Sequence, residues 1–71
     1  MNIRSTLQTV IIPKDRFTKS EAVRWMADHG YKFNKIDIKP NTFRFRQVEP
    51  LAGVRYYSVE LPNGVILVYM K

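Results

Sequence analysis

Hydrophobic positions in this chain repeat with two different periods, and the changes of period mark its elements. From Thr6 to Ile12 the pattern alternates and then turns wholly apolar at Val10-Ile11-Ile12, as expected of a β-branched interior strand covered on both faces. Pro13-Lys14-Asp15-Arg16 ends it, because proline has no amide to donate and three charged residues follow. Thr18-Lys19-Ser20-Glu21 then has the spacing of a capping box, in which the threonine hydroxyl accepts from the Glu21 amide and the glutamate reaches back to the threonine amide. Beyond it Ala22, Trp25, Met26 and His29 recur at i, i+3, i+4, i+7 with Val23 beside them, while Glu21, Arg24 and Asp28 lie opposite. This predicts an amphipathic helix of about three turns, closed by Gly30. So short a helix is marginal alone in water and is expected to dock on a sheet, with Trp25 as its core anchor and Phe17 and Tyr31 exposed at its two ends.

Period two dominates the remainder. Tyr31 to Ile38 reads as a strand with Ile36 and Ile38 on one face and Lys35, Asp37 and Lys39 on the other; Tyr31 and Phe33 break that parity, as an approach to the strand or a bulge would. After a turn at Lys39-Pro40-Asn41-Thr42, the segment Thr42 to Val48 puts Phe43 and Phe45 on one face and Arg44 and Arg46 on the other, so the two strands should pair as a hairpin. Pro50 to Val54 reads as a loop, and Arg55 to Leu61 as a fourth strand with Tyr57, Val59 and Leu61 sharing a face. Pro62-Asn63-Gly64 predicts a hairpin with a type I′ turn, leading into a closing apolar strand, Val65 to Met70. The order β-α-β-β-β-β predicts an α+β fold: a single amphipathic helix packed on a four- to five-stranded, mainly antiparallel sheet. Its β-α-β opening fits either a parallel crossover or a helical spacer between antiparallel strands.

Length and composition narrow the function more than the fold. Seventy-one residues leave room for one hydrophobic core, so residues 1–71 are read as a single domain, and 45% hydrophobic residues with one Trp, four Tyr and four Phe exclude a disordered tail. There is no cysteine, no stretch long and apolar enough for a membrane span, and the start MNIRSTLQTVIIP lacks the apolar run of a signal peptide. A soluble, unprocessed, intracellular protein is expected. Catalysis needs convergent groups, and one histidine, no thiol and six scattered carboxylates provide none. The chain is therefore read as a non-enzyme without cofactor, metal or small-molecule substrate, with His29 as a structural residue at the helix end.

Charge points toward a class of partner. Twelve Lys and Arg against six Asp and Glu give a net charge of +6, spread along the chain without a run, a balance that steers toward polyanions. The strongest local feature is Phe43-Arg44-Phe45-Arg46. A strand that buries both phenylalanines presents both guanidiniums on its other face, beside Lys35 and Lys39 of the paired strand, and Tyr56 on a neighbouring strand offers a stacking surface for a base. The competing reading is that the arginines pair with Asp37, Glu49 or Glu60 across strands, each exposed pair contributing about 0.2–1 kcal/mol.

Ala22-Val23-Arg24-Trp25-Met26-Ala27-Asp28-His29-Gly30, an A-x-x-W-x-x-x-H-G pattern, followed by Arg44-Phe45-Arg46-Gln47, resembles small proteins and protein segments encoded by tailed phages, prophages and some large DNA viruses, over roughly residues 10 to 50. The resemblance implies a viral setting, in host cytoplasm or virion, and no particular reaction; the C-terminal hairpin lies outside it. Within this pattern His29 and Gln47 are expected to meet beneath the helix and hydrogen-bond. The leading functional expectation is a nucleic-acid-binding module using Lys35, Lys39, Arg44, Arg46 and Tyr56, mainly through phosphates. The alternative is a virion, regulatory or inhibitor protein that recognises another protein, by adding its first or third strand to a partner sheet or by forming a homo-oligomer through an edge.

Overall fold

The computed structural model describes residues 5–71; Arg4, one of the spread basic positions, lies outside them. Strands β1 (Thr6–Pro13), β2 (Ile36–Ile38), β3 (Thr42–Arg46), β4 (Tyr56–Glu60) and β5 (Ile66–Met70) form one sheet in the order β2-β3-β1-β5-β4, and helix α1 (Lys19–Asp28) follows β1 in the chain. Every neighbouring pair is antiparallel, giving the α+β class and element order expected from the sequence. β1 and β2 therefore run parallel without touching, because β3 lies between them. The β-α-β opening is a crossover split by the next strand, a third arrangement beside the two considered from sequence.

The most β-branched segment holds the centre. Val10 and Ile12 are fully buried on the face that α1 covers, whereas Ile11, expected to be covered too, is half-buried on the opposite, open face. α1 packs Ala22 and Met26 onto Val10, Ile12, Phe43, Phe45, Val65 and Leu67, so the core draws on β3, β1 and β5 and stops short of β4. Every residue of β4 is exposed.

The helix is fixed at both ends by local bonds. Thr18 Oγ1 accepts from the Glu21 amide at 3.2 Å while the Thr18 amide donates to Glu21 Oε1 at 2.8 Å, the reciprocal pair of a capping box. At the other end Gly30, at φ +74°, lets its own amide donate to the Ala27 carbonyl and the Tyr31 amide to the Met26 carbonyl, which is a Schellman closure. Tyr31 then lies over Trp25 with ring centroids 6.0 Å apart, the apolar contact that usually accompanies such a closure. Trp25 is only half-buried, and the deepest helical side chain is Met26; Phe17 and Tyr31, expected to be exposed, are half-buried against the core.

Two strand expectations are corrected. The segment expected as a strand from Tyr31 is regular only over Ile36–Ile38, since the chain up to Asn34 leads out of the helix closure, which explains the broken parity at Tyr31 and Phe33. The β4–β5 connection is not a type I′ turn, which needs positive φ at both central residues. Only Gly64 has one, at +90°; the Gly64 amide donates to Leu61 O and the Leu61 amide to Val65 O. Proline at the second position holds the turn in negative φ and the glycine supplies the left-handed residue after it, the longer hairpin loop with a bulge. A Cβ on Gly64 would come within 3.2 Å of Pro13 Cγ, so the loop also packs tightly against the end of β1.

Candidate nucleic-acid interface

β3 carries the candidate site because its alternation leaves no choice of facing. Phe45 is fully buried and Phe43 nearly so beneath α1, and Arg44 and Arg46 consequently stand on the open face, both exposed. The register sets Arg44 opposite Asp37 on β2 and Ile11 on β1, and Arg46 opposite Thr9 on β1. The Arg46 amide donates to Lys35 O at 3.1 Å and the Lys39 amide to Thr42 O at 2.9 Å, so both lysines flank the arginine strand on the same face. The sheet thus brings together four of the five residues singled out by sequence.

Tyr56 is not the neighbour expected. β4 forms the opposite edge of the sheet, and β1 and β5 intervene between it and β3. Three strand spacings of about 4.8 Å put it about 14 Å away. Its hydroxyl is also engaged, donating to Leu51 O at 2.9 Å and accepting from the Leu51 amide at 3.1 Å. A short segment looks adjacent in sequence logic only if the fourth strand follows the third in space, and the chain instead crosses two strands before adding β4.

Carboxylates temper the basic cluster without cancelling it. Glu49 Oε2 accepts from Arg46 Nη1 at 3.2 Å and Glu49 Oε1 lies 3.5 Å from Lys35 Nζ, while Asp37 pairs with Lys39 at 3.3 Å. Every group in these pairs is at least about half exposed, the regime in which an ion pair contributes about 0–1 kcal/mol and yields readily to a better anion. Arg44 has no ion-pair partner among the described residues. Four cations against two carboxylates leave the face positive, and shallow depressions of about 220 and 240 Å³ flank the arginines, one lined by Thr9, Asp37, Arg44 and Pro50, the other by Lys35, Asp37 and Arg46.

The residues that hold this face in shape were not anticipated. The β1–β5 register slips between Leu7 and Thr9, making Gln8 a bulge residue. Its carbonyl accepts from the Gln47 amide at 2.8 Å, its side-chain amide donates to Val48 O at 3.1 Å, and its Oε1 accepts from the Thr9 hydroxyl at 2.5 Å. The bulge thereby pins the chain leaving β3, which positions Glu49 against Arg46 and Lys35. Gln47 does not meet His29. It bonds the backbone of Lys32, while His29 is exposed at the helix end, its ring stacked on Trp25 at 3.9 Å with Nδ1 2.8 Å from Trp25 O.

Away from the basic half the open face turns apolar, with Ile11, Ile66 and Val68 side by side on β1 and β5. On the helix side, Tyr57 and Tyr69 stack at 5.3 Å; burial, then the neighbouring Tyr31 and Tyr57, pushes the Tyr69 phenol above its ordinary value. Among the described residues no group of three His, Asp or Glu could hold a metal ion, and no helix is long and apolar enough to cross a membrane. Compared with family models, curated proteins and solved structures, the chain matches none.

Proposed function

We propose that this chain is a small binding module without a reaction of its own, which contacts nucleic-acid phosphates through the open face of its sheet. Arg44 carries the reading. It stands in the middle of the basic half, exposed and without an ion-pair partner among the described residues, with Arg46, Lys35 and Lys39 around it. A planar guanidinium donates to two phosphate oxygens at a time, and the three flanking cations can exchange weak carboxylate partners for phosphates. A face of this kind follows a backbone and reads little sequence. A phage or viral setting, in host cytoplasm or virion, belongs to the same proposal on the resemblance of residues 22–30 and 44–47.

The test is an electrophoretic shift across single-stranded and duplex DNA and RNA at low and physiological salt. Binding that weakens steeply with salt supports the reading, and no shift on any of these probes at low salt overturns it.

A further inference from the structure

The open face changes character across the sheet, in step with its register. Pairing lines up Arg44, Ile11, Ile66 and Glu60 as one row from β3 to β4. The neighbouring row is Arg46, Thr9, Val68 and Ser58. Cations thus hold the β3 side and uncharged β-branched residues hold β1 and β5. On this face of β4 the one charge is Glu60, which has no ion-pair partner among the described residues. Ile11 and Ile66 stand about 5 and 10 Å from Arg44, at one and two strand spacings.

The β1–β5 strip is a low apolar floor. Its side chains are short and stiff, and Ile11, Ile66 and Val68 are half-buried, so each keeps some surface open to water. Together with the edge residues Tyr56 to Ser58 they line a depression of about 330 Å³. Tyr56 bounds it. Its ring is 45% exposed, yet two bonds from the hydroxyl to the Leu51 backbone hold it in place before any ligand arrives.

We propose that the nucleic acid held by this face is single-stranded, with phosphates on Arg44 and Arg46 and bases laid over Ile11, Ile66 and Val68 toward Tyr56. The inference rests on the phosphate reading given above. A single strand has a charged margin beside exposed, flat base faces, which is the division found on this sheet. Arg44 and Arg46 are two residues apart, about 7 Å along β3, close to the step between successive phosphates of one strand. A backbone following β3 sends its bases across the strands onto the floor, and Glu60 repels a backbone placed on the far side. Bases stack on apolar and aromatic side chains with little regard to sequence. A duplex keeps its base faces inside and offers the floor nothing. Phosphate attraction by itself favours the duplex, whose charge is denser: its salt slope is about −0.9 per contact against about −0.7 for a single strand. Preference for the single strand therefore requires the bases.

The test compares three labelled probes of equal length by fluorescence anisotropy: oligo(dT), its duplex with oligo(dA), and an abasic deoxyribose-phosphate strand. At physiological salt oligo(dT) should bind about tenfold or more tighter than either of the others. Methyl resonances of Ile11, Ile66 and Val68 should shift with oligo(dT) and stay in place with the abasic strand. Ile66→Thr/Val68→Thr keeps β-branched residues and charge while making the floor polar. It should bring oligo(dT) affinity down toward the duplex value and leave duplex affinity unchanged, a pattern that a misfolded chain would not give. Tyr56→Ala, on the exposed edge strand, should act in the same direction. A duplex or an abasic strand that binds as tightly as oligo(dT) overturns this inference and leaves the phosphate reading standing. Methyl shifts that follow protein concentration instead of oligonucleotide would give the floor to a second copy and overturn it as well. No binding of any probe at low salt overturns both.

Discussion

The side-chain amide of Gln47 holds the backbone of Lys32 at both of its polar groups, accepting from the amide at 2.9 Å and donating to the carbonyl at 2.8 Å. This two-point clasp ties the irregular chain between α1 and β2 to the end of β3, and so fixes where Lys35 enters the basic face. Gln47→Ala removes both bonds, and at about 0.5–1.5 kcal/mol each the expected loss is about 1–3 kcal/mol of stability. Chemical denaturation at neutral pH measures it. A loss below about 0.5 kcal/mol would mean that water replaces the clasp at no cost.

Glu49 is the carboxylate that a bound phosphate has to displace. It touches both Lys35 and Arg46, so Glu49→Gln frees two cations while keeping the side chain's size. Stability should change by less than about 1 kcal/mol, because both pairs are exposed. Affinity for nucleic acid should rise several-fold at physiological salt, measured by fluorescence anisotropy on a labelled oligonucleotide. A weaker-binding variant would assign Glu49 a role other than competitor.

The helix start should be sensitive to acid. Glu21 is held below the usual carboxylate range, first by the Thr18 backbone amide that it accepts and then by the Thr18 side chain. A depressed value stabilises the fold above the ordinary carboxylate pKa and is lost as pH falls through the folded-state value. Thermal melts of the native chain should therefore drop below about pH 4.5 more than those of Glu21→Gln. Thr18→Ala breaks the other half of the box and should cost about 1 kcal/mol at neutral pH, where Glu21 is charged.

Much of the fold could be read from residue order. The capping box, the Gly30 stop and the Phe43/Phe45 alternation are local devices, and each produces the element expected of it. Strand order was not legible, because nothing within Arg55 to Leu61 tells whether that strand lies beside β3 or two strands beyond it. Tyr56 consequently lies at the far edge of the sheet and not beside β3, and the first and third strands, expected as edges for a partner, are interior. The basic face itself was legible, since burying two phenylalanines in one strand forces both arginines outward. Glu49 was among the arginine partners the sequence offered, and it pairs with Arg46; the support from the Gln8 bulge was not legible, because it depends on a register shift that leaves no mark on the pattern of apolar residues.

Arg44 and Arg46 are the phosphate ligands of the proposed interface, and the salt dependence of binding counts them. A plot of log affinity against log salt for duplex DNA falls with a slope of about −0.9 per phosphate contact. The Arg44→Ala/Arg46→Ala variant, with the native circular dichroism spectrum and melting behaviour retained, should show a slope shallower by about two and weaker binding at every salt concentration. An unchanged slope in that folded variant would contradict the claim that this face binds the backbone.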